Sequence, residues 1–306
     1  SSENRWEAIE KIIKMNSPRL LVIDSIQTIY SESLDGIPGS LSQVKECGSK
    51  ILEFCKANDI IVILIGHITK DGKIAGPKML EHMVDTVLNL SGDSKTDLRT
   101  LRCTKNRFGS THESSIFEMQ KNGLHHIKNP SEIFLSERAL STSGSVVTPI
   151  MEGSRSILIE VQGLVSAATY GNPQRNATGF DMRRLSMLLA ILDKRLGFQT
   201  ITQDVFVNIV GGLKIDEPAL DLAIICAIAS SQQDLPINST SVICGEVGLS
   251  GEIRSITNLD KRIMEAEKLG FTSFICPKQN LSKFTKKTNI SLIGISTVQE
   301  ALEHIF

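Results

Sequence analysis

The 306-residue sequence has few aromatic residues and no excess of either charge. It contains one Trp and two Tyr, and aromatic residues make up 5% of the chain. Its 33 Lys and Arg residues are balanced by 34 Asp and Glu residues, which gives a net charge of -1. This balance excludes a global attraction to nucleic acid or to an anionic membrane, so such binding would need a local basic patch.

Paired cysteines and long hydrophobic runs are also missing. The six cysteines, at positions 47, 55, 103, 226, 244 and 276, form no Cys-x-x-Cys pair and lie in apolar stretches. That pattern is typical of reduced, packed thiols and disfavours a disulfide or zinc framework. No apolar run reaches the roughly 18 residues that span a bilayer, and the N-terminus lacks the apolar stretch of a signal peptide. The sequence therefore predicts a soluble, cytoplasmic protein that does not associate with membranes.

Hydrophobic residues make up 41% of the chain, which is enough for one large or two ordinary globular domains. Helical spacing over residues 3–15 precedes the apolar run Leu20–Ile23, and a second helical pattern over 41–57 precedes the run Ile60–Ile65. Both runs predict strands that are buried on both faces of a parallel sheet. Three closely spaced strand candidates predict antiparallel hairpins added to that sheet, at 86–90, 99–104 and 115–119.

The second half alternates between strand and helix patterns. Residues 136–153 are rich in Ser, Thr and Gly and indicate a linker, which predicts domains at 1–145 and 146–306. Beyond the linker, residues 156–165 alternate like a half-exposed strand. Further strands are predicted at 205–210, 241–245, 252–256, 274–277 and 290–293, and helices at 181–196, 219–230, 258–269 and 297–305. The predicted fold class is therefore α/β in both domains.

Asp24 and His67 are the first candidates for a chemical role, because each follows a predicted buried strand. Parallel strands would deliver both side chains to the carboxyl edge of the sheet, where ligands of open α/β folds bind. A carboxylate there can hold Mg²⁺ through water, as Walker-B aspartates do. The alternatives are a turn or capping aspartate and a structural histidine.

Four clusters of basic residues are candidates for binding anions. Lys70, Lys73 and Lys78 lie among glycines in residues 66–80, which suits contact with backbone phosphate, although a solvated loop has the same composition. Lys105 and Arg107 follow a strand and suit an anion-binding finger, or a plain exposed turn. Other basic residues surround the helix near 181 or form a small C-terminal group, and could equally be solvated: Arg175, Arg183, Arg184, Lys194 and Arg195, and Lys283, Lys286 and Lys287.

Five segments of the first half occur in an order that points to one protein family. They are Ile23–Thr28, Gly66–Lys70, Ile74–Pro77, Leu80–Leu88 and the motif Lys105-Asn106-Arg107-Phe108-Gly109. Together they resemble the RadA family of bacterial DNA repair proteins, also called Sms, and the similarity extends over essentially the whole chain. The five-residue motif is that family's own signature.

The resemblance implies a RecA-type hexameric ATPase that uses ATP and Mg²⁺. Members act as DNA helicases on single-stranded or branched DNA, and assist branch migration in recombination and repair beside the RecA recombinase. By this resemblance Asp24 is the Walker-B residue, His67 senses the γ-phosphate, and the loops at 31–43 and 66–80 line the DNA channel. Lys105 and Arg107 would reach the nucleotide of a neighbouring subunit, where a cation stabilises charge on the transferred phosphoryl group.

Two parts of that family's pattern are missing from the sequence. It has no G-x-x-x-x-G-K-[ST] motif, so it lacks the amides and Lys that cradle the β- and γ-phosphates. The family's N-terminal four-cysteine zinc element is also absent, and the glutamate that polarises the attacking water belongs upstream. The sequence thus resembles the C-terminal part of a RecA-like ATPase core, and we expect these 306 residues alone not to hydrolyse ATP.

The second half resembles the proteolytic domain of Lon, most clearly at Val210–Gly212 and Gly245–Ile253. Lon peptidases use a Ser nucleophile activated by Lys. The resemblance places Ala219 where Lon has its Ser and Asp260 at or beside its Lys; a one-residue shift would offer Lys261 as a base but no nucleophile. Peptidase activity is therefore the least favoured function. The principal alternative to an ATPase subunit is a non-enzymatic platform for DNA binding and oligomerisation.

Overall fold

The structure, a computed structural model, describes residues 2–67, 76–92, 97–111, 113–168 and 172–306. The chain forms two compact units: the first comprises residues 1–88 and 103–111, and the second comprises 89–102 and 112–306. Residues 112–145 thus belong to the second unit, because Ile116, Ile127 and Phe134 are buried in its main core. The division into domains at 145 remains a sequence prediction.

The first unit begins with the two predicted helix-strand pairs. Helix α1 (Trp6–Asn16) leads to strand β1 (Leu20–Asp24), and helix α2 (Leu41–Ala57) leads to β2 (Ile61–Ile65). The strands pair in parallel, with Leu20 opposite Ile61 and Asp24 opposite Ile65. The side chain of Ser40 caps α2 by accepting a hydrogen bond from the Gln43 amide. Helix α3 (Gly76–Met83) follows.

Among the described residues, helices cover one face of this two-stranded sheet and leave the other exposed. Ile23 and its neighbours on the inner face pack with α1 and α2 in a core that includes Trp6. On the other face, which we call the open face, four large aliphatic side chains are between 48% and 68% exposed: Leu20, Val22, Ile61 and Ile63. The prediction that both strands are buried on both faces is therefore wrong for the described residues, because the helices present cover one side only.

Four further strands form a separate sheet in the order of the chain. They are β3 (Thr86–Ser91), β4 (Leu98–Asn106), β5 (Ser114–Gln120) and β6 (Gly123–His126). The pairs β4–β5 and β5–β6 are antiparallel. Antiparallel pairing is confirmed, but these strands do not extend the β1–β2 sheet as predicted, since strands joined by short turns pair with each other first.

The second unit is built on a seven-stranded mixed sheet. Its strands are β7 (Ser145–Glu152), β8 (Arg155–Ala167), β9 (Arg175–Thr178), β10 (Gln203–Ile209), β11 (Ser241–Ile243), β14 (Ser273–Pro277) and β15 (Ser291–Ile295), in the order β15-β14-β11-β7-β8-β10-β9. The short strands β12 (Glu246–Val247) and β13 (Ile253–Arg254) form a hairpin. The helices are α4 (Pro130–Leu135), α5 (Met182–Leu196), α6 (Asp221–Gln233), α7 (Leu259–Lys268), α8 (Lys278–Leu281) and α9 (Val298–Ile305).

Two predictions about this unit are wrong. The proposed linker overlaps β7, a central strand in which Val146, Val147 and Ile150 are fully buried. The strand β8 is half exposed only in its second part: every residue from Ser156 to Val161 is buried, and exposed residues alternate with buried or half-buried ones from Gln162 to Ser166. Both errors have one cause: α6 packs on one side of these strands and α4 and α7 on the other, so their polar residues are enclosed as well.

Candidate functional site

The carboxyl edge of the β1–β2 sheet brings two predicted residues together. Asp24 is the last residue of β1, and His67 lies two residues beyond the end of β2. Their side chains are 66% and 76% exposed, and Nε2 of His67 lies 3.8 Å from Oδ1 of Asp24. That distance is too long for a hydrogen bond, so both groups keep their capacity to bind a ligand.

Gln27 supports this edge and was missed by the sequence reasoning. Its Nε2 donates a 3.0 Å hydrogen bond to the backbone carbonyl of His67, which ties the turn after β1 to the segment after β2. Its Oε1 is buried and has no hydrogen-bond partner among the described residues. A buried unpaired acceptor is costly, so it marks a place where a water or ligand donor would be favourable.

The residues present fit a magnesium ion only in part. Asp24 offers one exposed carboxylate, which is compatible with a water-mediated contact to Mg²⁺. Within the described ranges, no group of three or more His, Cys, Asp or Glu side chains could hold a metal by itself. The remaining ligands would therefore be water and phosphate oxygens, as is usual where Mg²⁺ is bound with a nucleotide.

The motif Lys105 to Gly109 forms a turn at the end of β4. Nζ of Lys105 donates to the carbonyls of Glu81 at 2.6 Å and His82 at 3.3 Å, near the C-terminus of α3. This is a favourable place for a cation, because the last carbonyls of a helix carry partial negative charge. The ammonium of Lys105 is thus engaged within its own chain.

Arg107 is more weakly held than Lys105. Its Nη1 lies 3.1 Å from Oδ1 of Asp85, and both side chains are more than half exposed. Asn106 closes the turn by accepting a bond from the Phe108 amide at 3.2 Å, and the Phe108 ring is 86% exposed. An exposed ion pair of this kind contributes about 0–1 kcal/mol, so an anionic ligand could readily replace Asp85. No hydrogen bond or ion pair seen in the described part of the chain joins this turn to Asp24 or His67.

The predicted DNA-binding residues have different environments. Lys70 and Lys73 lie outside the described residues, while Lys78 is exposed on α3. The side chain of Arg183 is 93% exposed at the start of α5 and makes only a loose contact with Asp181. Arg175 donates to the carbonyls of Thr200 and Ile201. Of the predicted arginines Arg175, Arg183 and Arg184, Arg183 is the one most available to phosphate.

Arg184 has a structural role that the sequence did not suggest. Its guanidinium binds the carboxylate of Asp221, which is fully buried at the start of α6 and also accepts a 3.1 Å bond from the Val247 amide. Burial raises the pKa of Asp221, and Arg184 opposes that shift. The expectation that Arg184 contacts DNA therefore competes with its pairing to a buried charge.

The positions compared with Lon carry no peptidase chemistry. Ala219 is buried in the turn before α6 and has no nucleophilic group. Asp260 lies on α7 with its side chain 42% exposed, and Lys286 at 2.9 Å lowers its pKa. Lys261 donates to the carbonyl of Ser154 instead of facing Ala219.

Two residues beside Ala219 form a buried ion pair that sequence reasoning missed. Arg262, fully buried on α7, contacts the carboxylate of Glu217 and donates to the carbonyls of Pro149 at 2.6 Å and Thr257 at 3.0 Å. A Lys-Arg pair on a polar helix is normally interpreted as solvated, so the sequence held no signal for this burial. The pair fastens α7 to β7 and to the turn that holds Ala219.

The chain is similar to known proteins over both of its units. Residues 161–280, within the second unit, match the family model described as subunit ChlI of Mg-chelatase. The DNA repair protein RadA of Bacillus subtilis (strain 168) is 48% identical over 301 residues, which cover 98% of this chain and 66% of that protein. RadA of Halalkalibacterium halodurans is 47% identical over 302 residues, covering 99% of this chain and again 66% of the relative.

RadA of Streptococcus pneumoniae (strain R6) is 46% identical over 305 residues, covering 100% of this chain and 73% of the relative. The chain thus spans slightly less than two thirds of the Bacillus and Halalkalibacterium proteins and somewhat more of the Streptococcus protein. In the described part of the chain no helix is long and apolar enough to cross a membrane.

Proposed function

Because this chain belongs to the RadA family of DNA repair proteins, we propose that it forms part of a DNA-dependent ATPase that acts as a helicase in recombinational repair and branch migration. We further propose that the protein works as a ring of copies, most simply a hexamer, on single-stranded or branched DNA beside the RecA recombinase, in the cytoplasm. Its similarity to RadA proteins supports the repair role, and the proposed catalytic steps rest on the candidate site.

The observation that carries the proposal is the pairing of Asp24 and His67 at one sheet edge. Parallel register places both side chains where open α/β sheets bind ligands. Asp24 would hold Mg²⁺ through water, and that ion would neutralise charge on the phosphates of ATP. His67 would contact the terminal phosphate, and Gln27 would hold the His67 backbone in place.

Arg107 would act on a nucleotide held by an adjacent copy. It is exposed, weakly paired with Asp85 and not joined to Asp24 in its own chain. A guanidinium brought in by a neighbour stabilises the charge that develops on the transferred phosphoryl group, and so couples hydrolysis to assembly.

The 306 residues alone are proposed to be inactive. The sequence has no G-x-x-x-x-G-K-[ST] motif to supply a phosphate cradle. The open face of β1–β2 supports the same conclusion, because parallel sheets in α/β proteins are normally covered on both sides. The first unit is therefore interpreted as an incomplete ATPase core.

ATP hydrolysis measured with and without single-stranded DNA tests this proposal. The 306-residue chain should show no Mg²⁺-dependent turnover, whereas a protein extended to the full length of its relatives should show turnover that DNA stimulates. In the longer protein, Asp24→Asn should reduce the rate at least about 100-fold, since a transition-state charge contact is lost. Asp59→Asn, in the turn before β2, is the matched control and should leave the rate unchanged. Turnover by the short chain, or an active Asp24→Asn variant, would refute the proposal.

A platform without enzymatic activity is the second candidate, favoured by Ala219 and by the exposed Arg183. The second unit would then bind DNA and hold copies together. Light scattering of the 306-residue chain with single-stranded DNA should show a ring-sized species. Arg183→Ala should weaken DNA binding and reduce its salt dependence by about one unit of slope. A monomer that does not bind DNA would contradict this candidate. The ATPase proposal would not be affected, because its test uses the longer protein.

A further inference from the structure

A polar cavity of about 290 Å³ lies on the second unit, beside the end of α4. Its floor is formed by side chains on β8 and β10, its wall by Phe134 and the residues after α4, and its rim by the turn at Gly211 and Gly212. The volume is at the lower end of the ~300–1,000 Å³ that is usual for small-molecule sites. The cavity is therefore large enough for a single charged group but too small for a nucleotide.

Glu160 carries the main charge of this cavity. Its residue is 3% exposed, so its carboxylate is removed from bulk water. Oε1 accepts a 2.6 Å hydrogen bond from the Ser145 hydroxyl, whereas Oε2 has no hydrogen-bond partner in the part of the chain described. Glu160 lines the cavity, so a ligand there can reach Oε2 as an acceptor.

The nearby cation does not satisfy that acceptor. Arg138 directs Nη1 to the carbonyl of Ser239 at 2.8 Å and Nε to the Ser145 hydroxyl at 3.3 Å, and its guanidinium makes no hydrogen bond to Glu160. Its pKa is lowered because it is partly buried. Glu137 adds a second carboxylate at the mouth. Two carboxylates against one guanidinium leave the cavity with one excess negative charge.

Two side-chain amides, each with an acceptor oxygen beside its NH₂ donor, are further polar groups of the cavity. Gln162 and Asn208 face each other across β8 and β10, with Nδ2 of Asn208 3.3 Å from Oε1 of Gln162. Both are exposed at the cavity floor. A planar guanidinium has five donors in a fixed fork and can reach several such acceptors at once, whereas an ammonium is a single point charge.

We propose that this cavity binds a guanidinium group, held by Oε2 of Glu160 and by the acceptors of Glu137 and Gln162. The source of the group is an arginine side chain of a polypeptide, including a second copy of this chain, or a free small molecule, and the experiment below distinguishes these sources. The site is independent of the ATPase proposal, because none of its residues belongs to the first unit.

Nuclear magnetic resonance on the 306-residue chain tests the proposal, with the backbone amides of Gly211 and Gly212 as reporters. Acetyl-Ala-Arg-Ala-amide should shift these resonances, while the same tripeptide with the neutral isostere citrulline should not. Glu160→Gln should weaken binding of the arginine peptide about tenfold or more, since one charge-assisted hydrogen bond is lost. Gln162→Leu, which removes an assigned acceptor at an exposed position of the cavity, should weaken it as well without changing Glu160.

Glu303→Gln is the matched control, because Glu303 is an exposed carboxylate on α9 outside the cavity, and it should bind like the parent chain. Agmatine binding as tightly as the peptide would identify a free small molecule as the source. Sedimentation that shows self-association of the parent chain, lost in Glu160→Gln, would identify a second copy. Equal binding of the citrulline peptide, or an unchanged affinity in both Glu160→Gln and Gln162→Leu, would overturn the proposal.

Discussion

The two units of this chain differ in how fully their sheets are covered. In the first unit, β1 and β2 bury one face against α1 and α2 and leave Leu20, Val22, Ile61 and Ile63 exposed. In the second unit, α6 is buried on all sides, and charged residues are enclosed in ion pairs. The difference teaches that helices enclose the central strands β7 and β8 of the second unit, whereas the described helices of the first unit leave one apolar sheet face exposed.

The same difference applies to the charged residues. In the first unit, Asp24, His67 and Arg107 are exposed and loosely paired, which leaves them available to a ligand. In the second unit, Arg184 pairs with the buried Asp221, and the buried Arg262 pairs with the partly buried Glu217, so both arginines serve stability. An arginine is therefore a candidate for binding here only where its partner is exposed too.

The largest expected effect concerns the buried pair of the second unit. Arg262→Ala would leave Glu217 partly buried without its cation and remove the bonds to Pro149 and Thr257, which should lower the free energy of unfolding by about 3–5 kcal/mol. Urea unfolding followed by circular dichroism measures the change. Arg254→Ala, whose side chain is 59% exposed, is the control and should cost less than about 1 kcal/mol. Equal effects of the two variants would show that the pair is not buried in solution.

A second prediction compares the two faces of β1. Ile23→Ala should destabilise the first unit by about 3 kcal/mol, because it leaves a cavity in the core, whereas Val22→Ala on the open face should cost less than about 1 kcal/mol. Trp6 is the single Trp of the chain and is buried in this core, so its fluorescence reports the transition. A large cost for Val22→Ala would mean that the open face is covered, and the contrast between the units would fail.

A third, smaller effect depends on pH. Burial raises the pKa of Asp221, so the native state favours the protonated carboxyl. Ionisation therefore costs stability as the pH rises from the pKa of Asp221 in the unfolded chain to its higher pKa in the folded chain. Removing the guanidinium in Arg184→Ala raises that pKa further. We expect a loss of about 2 kcal/mol near pH 7 that shrinks as the pH falls towards the pKa of Asp221. Thermal unfolding between pH 4 and pH 7 measures it.

Arg183→Ala is the control for that series, because Arg183 is 93% exposed one residue earlier on the same helix. Its effect on unfolding should stay within about 0.5 kcal/mol at every pH. A penalty for Arg184→Ala that does not change with pH would contradict the role given to Asp221.

Local sequence patterns predicted most of the elements correctly. The helix predicted at 41–57 is α2, the strand predicted at 60–65 is β2 within one residue, and the helix predicted at 181–196 is α5. These segments have clear periodicity and clear boundaries, such as the Asp181 side chain that caps α5 and Gly197 in the left-handed conformation at its end. The position of Asp24 at the sheet edge was also predictable from the sequence, because a residue that ends a parallel strand lies at that edge whatever surrounds it.

The errors arose where burial depended on distant partners. Residues 136–153 have the composition of a linker, yet β7 lies in the middle of the sheet because β8 and β11 flank it. The apolar runs that contain Leu20 and Ile61 have the composition of buried strands, yet the described residues leave both side chains exposed. Arg262, Glu160 and Asp221 gave no sequence signal, because a charged residue reveals its burial only through the elements packed around it.

The sequence by itself determined the fold class, the family and the local elements, since these follow from periodicity, turn residues and motifs that neighbouring residues share. Tertiary structure alone decided which face of β1–β2 stays open, which arginines are committed to Asp221 and Glu217, and where Glu160 borders a cavity. The physical reason is that burial and pairing are properties of contacts between segments far apart in the chain, and no local pattern encodes them.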